Sequence, residues 1–184
     1  KKNYGGNSFP EVFLNKKICS YQKKCSDKEG KEAWCLRESI TFASAKDGPQ
    51  VKNDISLPIS KIPDFVKYIT RKFNQLYPDG SFINFGHIGD GNLHFNFAPF
   101  FNKVSTEVKA SEIADFLQNK EEIIRRLIND AVVLYDGSIT AEHGIGRLRK
   151  SENVRLKSDV ELEMMRRIKQ SLDPKNILNP EVLF

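Results

Sequence analysis

The run Leu93-His94-Phe95-Asn96-Phe97-Ala98 leaves little freedom in how it can fold. Leu93, Phe95 and Phe97 alternate with His94, Asn96 and Ala98, and in an extended strand successive side chains point to opposite faces. One face is therefore aromatic, and the other carries an imidazole and an amide. A second strand-like run, residues 81–87, precedes it across a turn rich in glycine, Gly86-His87-Ile88-Gly89-Asp90-Gly91. The glycines permit positive φ and close approach of the backbone.

Helical patterns flank this pair. Residues 50–57 alternate as a strand, with Val51, Ile55 and Leu57 against Lys52, Asp54 and Ser56. Ser60 is placed to cap a helix with the apolar stripe Ile62, Phe65, Ile69, Phe73 and Leu76, which Tyr77-Pro78-Asp79-Gly80 ends. A long helix is expected over 108–134, with Ile113, Phe116, Leu117, Ile124, Leu127, Ile128 and Ala131 inward and Asp136-Gly137 terminating it. Ser138-Ile139-Thr140 reads as a short strand. Ser158-Asp159-Val160-Glu161 is a capping box opening a helix to about Ser171, and Asp173-Pro174 stops it. Upstream, Trp34–Ala45 reads as a short helix after a loop-rich lead-in or insertion, and Asp47-Gly48-Pro49 breaks the chain. The order implies an α+β fold, ferredoxin-like, with an antiparallel sheet and helices packed on one side.

With 184 residues and 39% hydrophobic content, the chain can build one well-packed domain. No apolar run is long enough to span a bilayer, and no signal peptide is visible. The expected location is the cytoplasm, or the inner face of a membrane as a peripheral protein. The net charge of +5 is uneven: residues 1–80 carry +6 and residues 81–184 carry −1. No aromatic-basic motif accompanies the basic half, which argues against nucleic acid and for small acidic ligands or a solvated face. Cys19, Cys25 and Cys35 lack the Cys-x2-Cys spacing of structural zinc and read as reduced thiols.

All three histidines, His87, His94 and His143, fall within two short segments, residues 86–96 and Ala141-Glu142-His143-Gly144-Ile145-Gly146. If 81–87 and 93–99 pair as a hairpin, His87 and His94 lie nearly opposite, close enough to grip one divalent ion. Asp90 would stiffen the turn or bond a ring nitrogen. Two surface histidines beside a loop is the plainer alternative. Glu142 would add a third ligand, a set suited to zinc, manganese or iron(II). His143 would remain as a general base; a helix N-terminus with acidic capping is the alternative there. Arg37, Thr41 and Lys52 offer two cations and a hydroxyl for a carboxylate, a weak signal taken alone. Gly144-x-Gly146 is not a dinucleotide fingerprint, so nothing argues for a nucleotide held wholly within this chain.

Three motifs in order then carry a resemblance: Gly86-His87-x-Gly89-Asp90-Gly91-Asn92-x-His94, Glu142-His143-Gly144-Ile145-Gly146, and Leu172-Asp173-Pro174-Lys175-Asn176-Ile177-Leu178-Asn179-Pro180. Residues 34–184 resemble the C-terminal domain of FAD-linked oxidases, in the vanillyl-alcohol oxidase superfamily, whose members act on D-2-hydroxyglutarate, D-lactate or glycolate. Residues 1–33 contribute little to the match. The resemblance implies an FAD-binding N-terminal domain, absent from these residues, and a C-terminal domain that covers the flavin and binds a 2-hydroxy acid. It implies that His87, His94 and Glu142 bind the divalent metal and that His143 takes the hydroxyl proton. It further implies that Asn96 orients substrate oxygens, that Asn92 and Asn179 approach FAD, and that Arg37, Thr41 and Lys52 hold a carboxylate. Electrons would pass to a quinone or an electron-transfer flavoprotein. The fragment alone would be inert. The family's Asn-Pro-Gly-Lys tail is Asn179-Pro180-Glu181-Val182 here, so a basic contact is lost. Two rivals stand beside this reading: a stand-alone metal-binding module without redox activity, and an oxidase of the same superfamily without a metal.

Overall fold

The computed structural model of the chain describes residues 27–46, 49–99 and 110–183. The lead-in to residue 26, with Cys19 and Cys25, and the Asp47-Gly48 break lie outside the described residues. The chain divides into two compact units, Lys1–Lys46 and Asp47–Phe184. The first holds helix α1, Asp27–Lys46, which starts seven residues earlier than the sequence pattern indicates. Trp34, Leu36 and Phe42 on α1 are exposed, as is the free thiol of Cys35.

The second unit holds strand β1 (Asp54–Ser56), helix α2 (Ile62–Leu76), strands β2 (Ser81–Phe85) and β3 (Asn92–Ala98), and helices α3 (Ala110–Leu134), α4 (Lys150–Leu156) and α5 (Asp159–Leu172). The sheet order is β1-β3-β2, with both pairs antiparallel. A single antiparallel bridge, Ser56↔Ser138, extends it beyond β1. If that bridge is counted as a vestigial fourth strand, the spatial order becomes 4-1-3-2, the ferredoxin-like arrangement. The α+β expectation therefore stands, with the last strand reduced to one residue pair. No described helix is long and apolar enough to cross a membrane.

The aromatic face of β3 drives the packing. Phe95 and Phe97 are fully buried against α2, with Phe65 and Phe95 ring centroids 5.1 Å apart and Phe73 and Phe97 4.9 Å apart. Phe82 of β2 closes the layer at 4.4 Å from Phe95. Ile124, Ile128, Ala131 and Val132 of α3 complete the core. Fully burying side chains of this size stabilises by about 1.5–3 kcal/mol each, so the sheet is committed to presenting Leu93, Phe95 and Phe97 to the helices. His94 and Asn96 then face the other way.

Some local expectations need correcting. Ser60 does not cap α2: it lies in a 3-10 turn, Lys61 occupies the cap position without a side-chain bond, and Pro63 opens the helix instead. Leu76, the last residue of the helix, is exposed rather than inward. Helix α4 has no counterpart in the sequence pattern; its apolar content is too low to show a stripe, and it is held by polar contacts. By contrast, the Ser158–Glu161 capping box forms as expected.

Gly137 is where the chain turns from α3 to the bridge. Its N–H bonds the Val132 carbonyl at 2.8 Å, and a Cβ there would sit 2.5 Å from the Ser56 oxygen and 2.8 Å from Val132 Cγ1. Gly137→Ala should therefore cost about 1–3 kcal/mol in urea unfolding. Gly89→Ala, with no atom within 4 Å of the new methyl, should stay within about 0.5 kcal/mol of the parent.

Candidate active site

Strand β3 supplies the centre. His94 is opposed by Asp54 on β1 and by Phe85 on β2. Directly opposed residues share a face, so both lie on the side away from the aromatic layer. The His94 ring stands between Phe85 and His143, with centroids 5.0 and 5.5 Å away.

Beyond the Ser56↔Ser138 bridge, residues 139–143 return to β1. Oδ2 of Asp54 accepts three successive backbone N–H bonds, from Ala141 at 3.1 Å, Glu142 at 2.9 Å and His143 at 2.8 Å. Consecutive N–H groups converging on one anion form a nest. Burial pushes the Asp54 carboxyl up, but the N–H bonds from His143, Glu142 and Ala141 outweigh it and hold the group below its ordinary value. Arg149 completes the clasp: its Nη1 donates to the Ile139 carbonyl at 2.8 Å and to the Asp54 carbonyl at 3.4 Å.

This loop brings Glu142 to His94, with Oε1 2.9 Å from Nε2. His143 Nε2 is 3.8 Å from the same oxygen, and its Nδ1 is 4.0 Å from Asp54 Oδ2. One ligand atom each from Asp54, His94, Glu142 and His143 lies within 4.8 Å of the others. Two imidazoles and two carboxylates at that spacing fit a divalent ion of the zinc, manganese or iron(II) kind.

His87 is not part of this group. The register sets Phe85, not His87, opposite His94, because β2 ends at Phe85 and the chain enters a 3-10 turn at Ile88–Asp90. The expectation that His87 and His94 face each other is thereby corrected: His87 is exposed, two residues further along, and its carbonyl accepts the Asn92 N–H at 3.2 Å. Asp90 stiffens the turn by accepting the same N–H at 3.0 Å, and Gly91 takes the left-handed φ of +82° that closes it.

The remaining candidates are dispersed. Asn96 is buried, and its Oδ1 accepts the Asn53 N–H at 3.3 Å, leaving the amide Nδ2 as its donor. Asn92 is buried with Oδ1 lacking a hydrogen-bond partner. Lys52 is exposed two residues before Asp54, and its carbonyl accepts from Arg125 at 2.8 Å. Arg37 lies on α1 in the other compact unit, with Thr41 one turn further along that helix. Asn179 lies in the exposed tail, where Asp173 accepts the N–H groups of Ile177 and Leu178 at 3.0 and 2.9 Å. Glu181, at the position of the usual glycine, holds φ at +62°, the left-handed conformation that glycine adopts without strain. Sequence reasoning missed Asp54 and Arg149. For Asp54 the available signal was its place on the polar side of the 50–57 alternation.

A family model, that of the C-terminal domain of FAD-linked oxidases, matches residues 15–183. The chain belongs to this family. Among its relatives, D-2-hydroxyglutarate dehydrogenase of Xanthomonas citri pv. viticola is 41% identical over 159 residues, covering 86% of this chain and 32% of that protein. The enzyme of the same name from Stutzerimonas stutzeri is 34% identical over 167 residues, with the same coverage. The mitochondrial D-2-hydroxyglutarate dehydrogenase of Arabidopsis thaliana is 35% identical over 147 residues, 80% of this chain and 23% of that one. The chain thus spans a third or less of these relatives.

In this family member Arg149 is carried into place by α4, which a buried carboxylate ties to α3. Glu152 accepts from Arg155 at 2.8 and 2.9 Å and from Asn129 at 2.9 Å. Arg155 holds the Glu152 carboxyl below its ordinary 4.5, against the opposing effect of burial. A lowered folded-state pKa stabilises above the unfolded value and loses that contribution as pH falls through the folded one. Glu152→Gln should therefore lower unfolding free energy by about 1–3 kcal/mol at pH 7. The gap to the parent should narrow in urea titrations as pH drops below 4.5.

Proposed function

We propose that this chain is the metal- and substrate-binding domain, residues 34–184, of an FAD-dependent D-2-hydroxy-acid dehydrogenase that converts a 2-hydroxy acid to the 2-oxo acid. The observation that carries the reading is the pinned Glu142-His143 pair set against His94, in a chain of this family. D-2-hydroxyglutarate is the first candidate substrate, because the relatives carry that name; D-lactate and glycolate are the others. On this reading the FAD-binding portion would lie outside these residues, which cover about a third of the relatives' length. The open apolar stripe Val160, Met164, Ile168 and Leu172 on α5 is assigned to contact with it. The domain alone would then be inert.

His94 and Glu142 would hold the ion, zinc first and manganese or iron next. The family resemblance would add His87 from the turn that follows β2. Bound there, the metal supplies positive charge at the substrate hydroxyl, and FAD, contacted by Asn92 and Asn179, supplies the hydride acceptor. His143 Nε2 takes the hydroxyl proton as the C2–H bond breaks and the C=O bond forms. Nδ1 is the ring nitrogen turned toward Asp54, which leaves Nε2 for the substrate. Asn96 Nδ2 donates to a substrate oxygen. By the family resemblance alone, Arg37, Thr41 and Lys52 would be carboxylate-binding residues, Arg37 through its forked guanidinium. Electrons then pass to a quinone or an electron-transfer flavoprotein. Cytoplasm, or peripheral attachment at an inner membrane face, is the location that fits a free Cys35 thiol.

Flavin reduction by the full-length protein should be fastest with one of D-2-hydroxyglutarate, D-lactate, glycolate and D-malate. His143→Ala should lower kcat by about 10²–10⁴ with KM nearly unchanged; undiminished turnover would remove the histidine from the chemistry. Chelation should abolish turnover, and added zinc, manganese or iron(II) should restore it. Turnover that survives complete metal removal would favour an oxidase without a metal.

A further inference from the structure

We infer that Asp54 is a positioning residue that sets the ligand atoms on both sides of the metal centre: it fixes the Glu142-His143 backbone through one oxygen and orients the His94 imidazole through the other. The inference rests on the metal-centre reading given above.

Asp54 is 1% exposed, and its two oxygens do different work. Oδ2 is saturated by three N–H groups. Oδ1 is buried without a hydrogen-bond partner, and the His94 Nδ1 directly across the strand pair is 3.8 Å away. Buried carboxylate oxygens are nearly always satisfied, and an Nδ1–H is the donor this one faces. A carboxylate at Nδ1 keeps the proton there and leaves the Nε2 lone pair for a metal. Nε2 is the atom already turned to Glu142. Asp54 meets the ring at one edge and Glu142 at the other, so Asp54 stands behind the imidazole rather than beside it as a further ligand.

The test compares zinc affinity of the full-length wild type and Asp54→Asn. The amide keeps the size and a carbonyl for the loop N–H groups but loses the charge at Nδ1. Zinc binding should weaken about 10–100-fold, with turnover restored by excess zinc. An unchanged zinc Kd, with only a lower Tm, would make Asp54 a purely structural anchor and overturn the inference. A loss that no zinc concentration repairs would make it a direct ligand and overturn it equally. If the variant does not fold, ¹⁵N NMR of wild-type protein loaded with zinc decides: Nδ1 of His94 should be protonated and Nε2 metal-bound, and the reverse assignment defeats the idea. The two readings fail separately. Wild type that binds zinc but turns over no 2-hydroxy acid defeats the dehydrogenase proposal and leaves Asp54 to be judged on Kd. Wild type that binds none of zinc, manganese and iron(II) defeats the metal-centre reading and this inference with it, whatever its turnover.

Discussion

One dry carboxylate ties together the two segments that carry the candidate site. Asp54 is fixed on β1, and the residues it holds lie 87 to 89 positions later in the chain. Closing so long a loop costs entropy that grows only slowly with length, but ordering its last residues needs strong local contacts. Three N–H bonds to an ionised carboxylate supply them, since charge-assisted hydrogen bonds are roughly twice as strong as neutral ones. The Ser56↔Ser138 bridge sets the register of approach, and Gly137 lets the backbone come close enough to make it. Without these steps Glu142 and His143 would be two polar residues in an exposed turn.

The grip works because its base does not move. Phe65, Phe73, Phe82, Phe95 and Phe97 interlock in one layer between β3 and α2, with centroid separations from 4.4 to 5.1 Å. Close-packed interiors transmit displacement rather than absorb it. A strand clamped along its aromatic face presents its alternate residues, His94 and Asn96, at fixed positions. Sites built on strands hold geometry better than sites built on loops alone. Here the strand fixes His94, and the clasp on Asp54 fixes the loop that brings Glu142 to it.

Local pattern made much of this legible in the sequence. The alternation in 93–98, the α2 stripe and the Ser158 capping box each encode their own structure within a few residues. The two histidine-bearing segments marked the site because imidazoles are scarce in this chain. What stayed hidden depended on register and distance. A slip of two residues along β2 decides whether His87 or Phe85 faces His94, and the 3-10 turn that sets it forms through backbone bonds no composition reveals. In sequence, Asp54 is simply the polar member of a short alternation. Its role exists only once Ala141 to His143 arrive, and nothing near either segment announces the other. Helix α4 escaped for a similar reason, since Glu152 and Asn153 anchor it by contacts to remote residues rather than by an apolar face.

The burial gradient across the site bears on what this domain can do unaided. Asp54 is dry, the His94 side chain is 17% exposed, that of Glu142 47% and that of His143 62%. Electrostatic catalysis draws its strength from excluding water around the groups that meet developing charge. In this chain the positioning half of the site is sealed, and the half assigned to the substrate is open. An ion held by these residues would gain its geometry from Asp54 and β3, yet a proton leaving for His143 would do so in a solvent-like dielectric. Wall and floor are built into this fold, and drying the reacting atoms would take a further surface laid over Glu142 and His143.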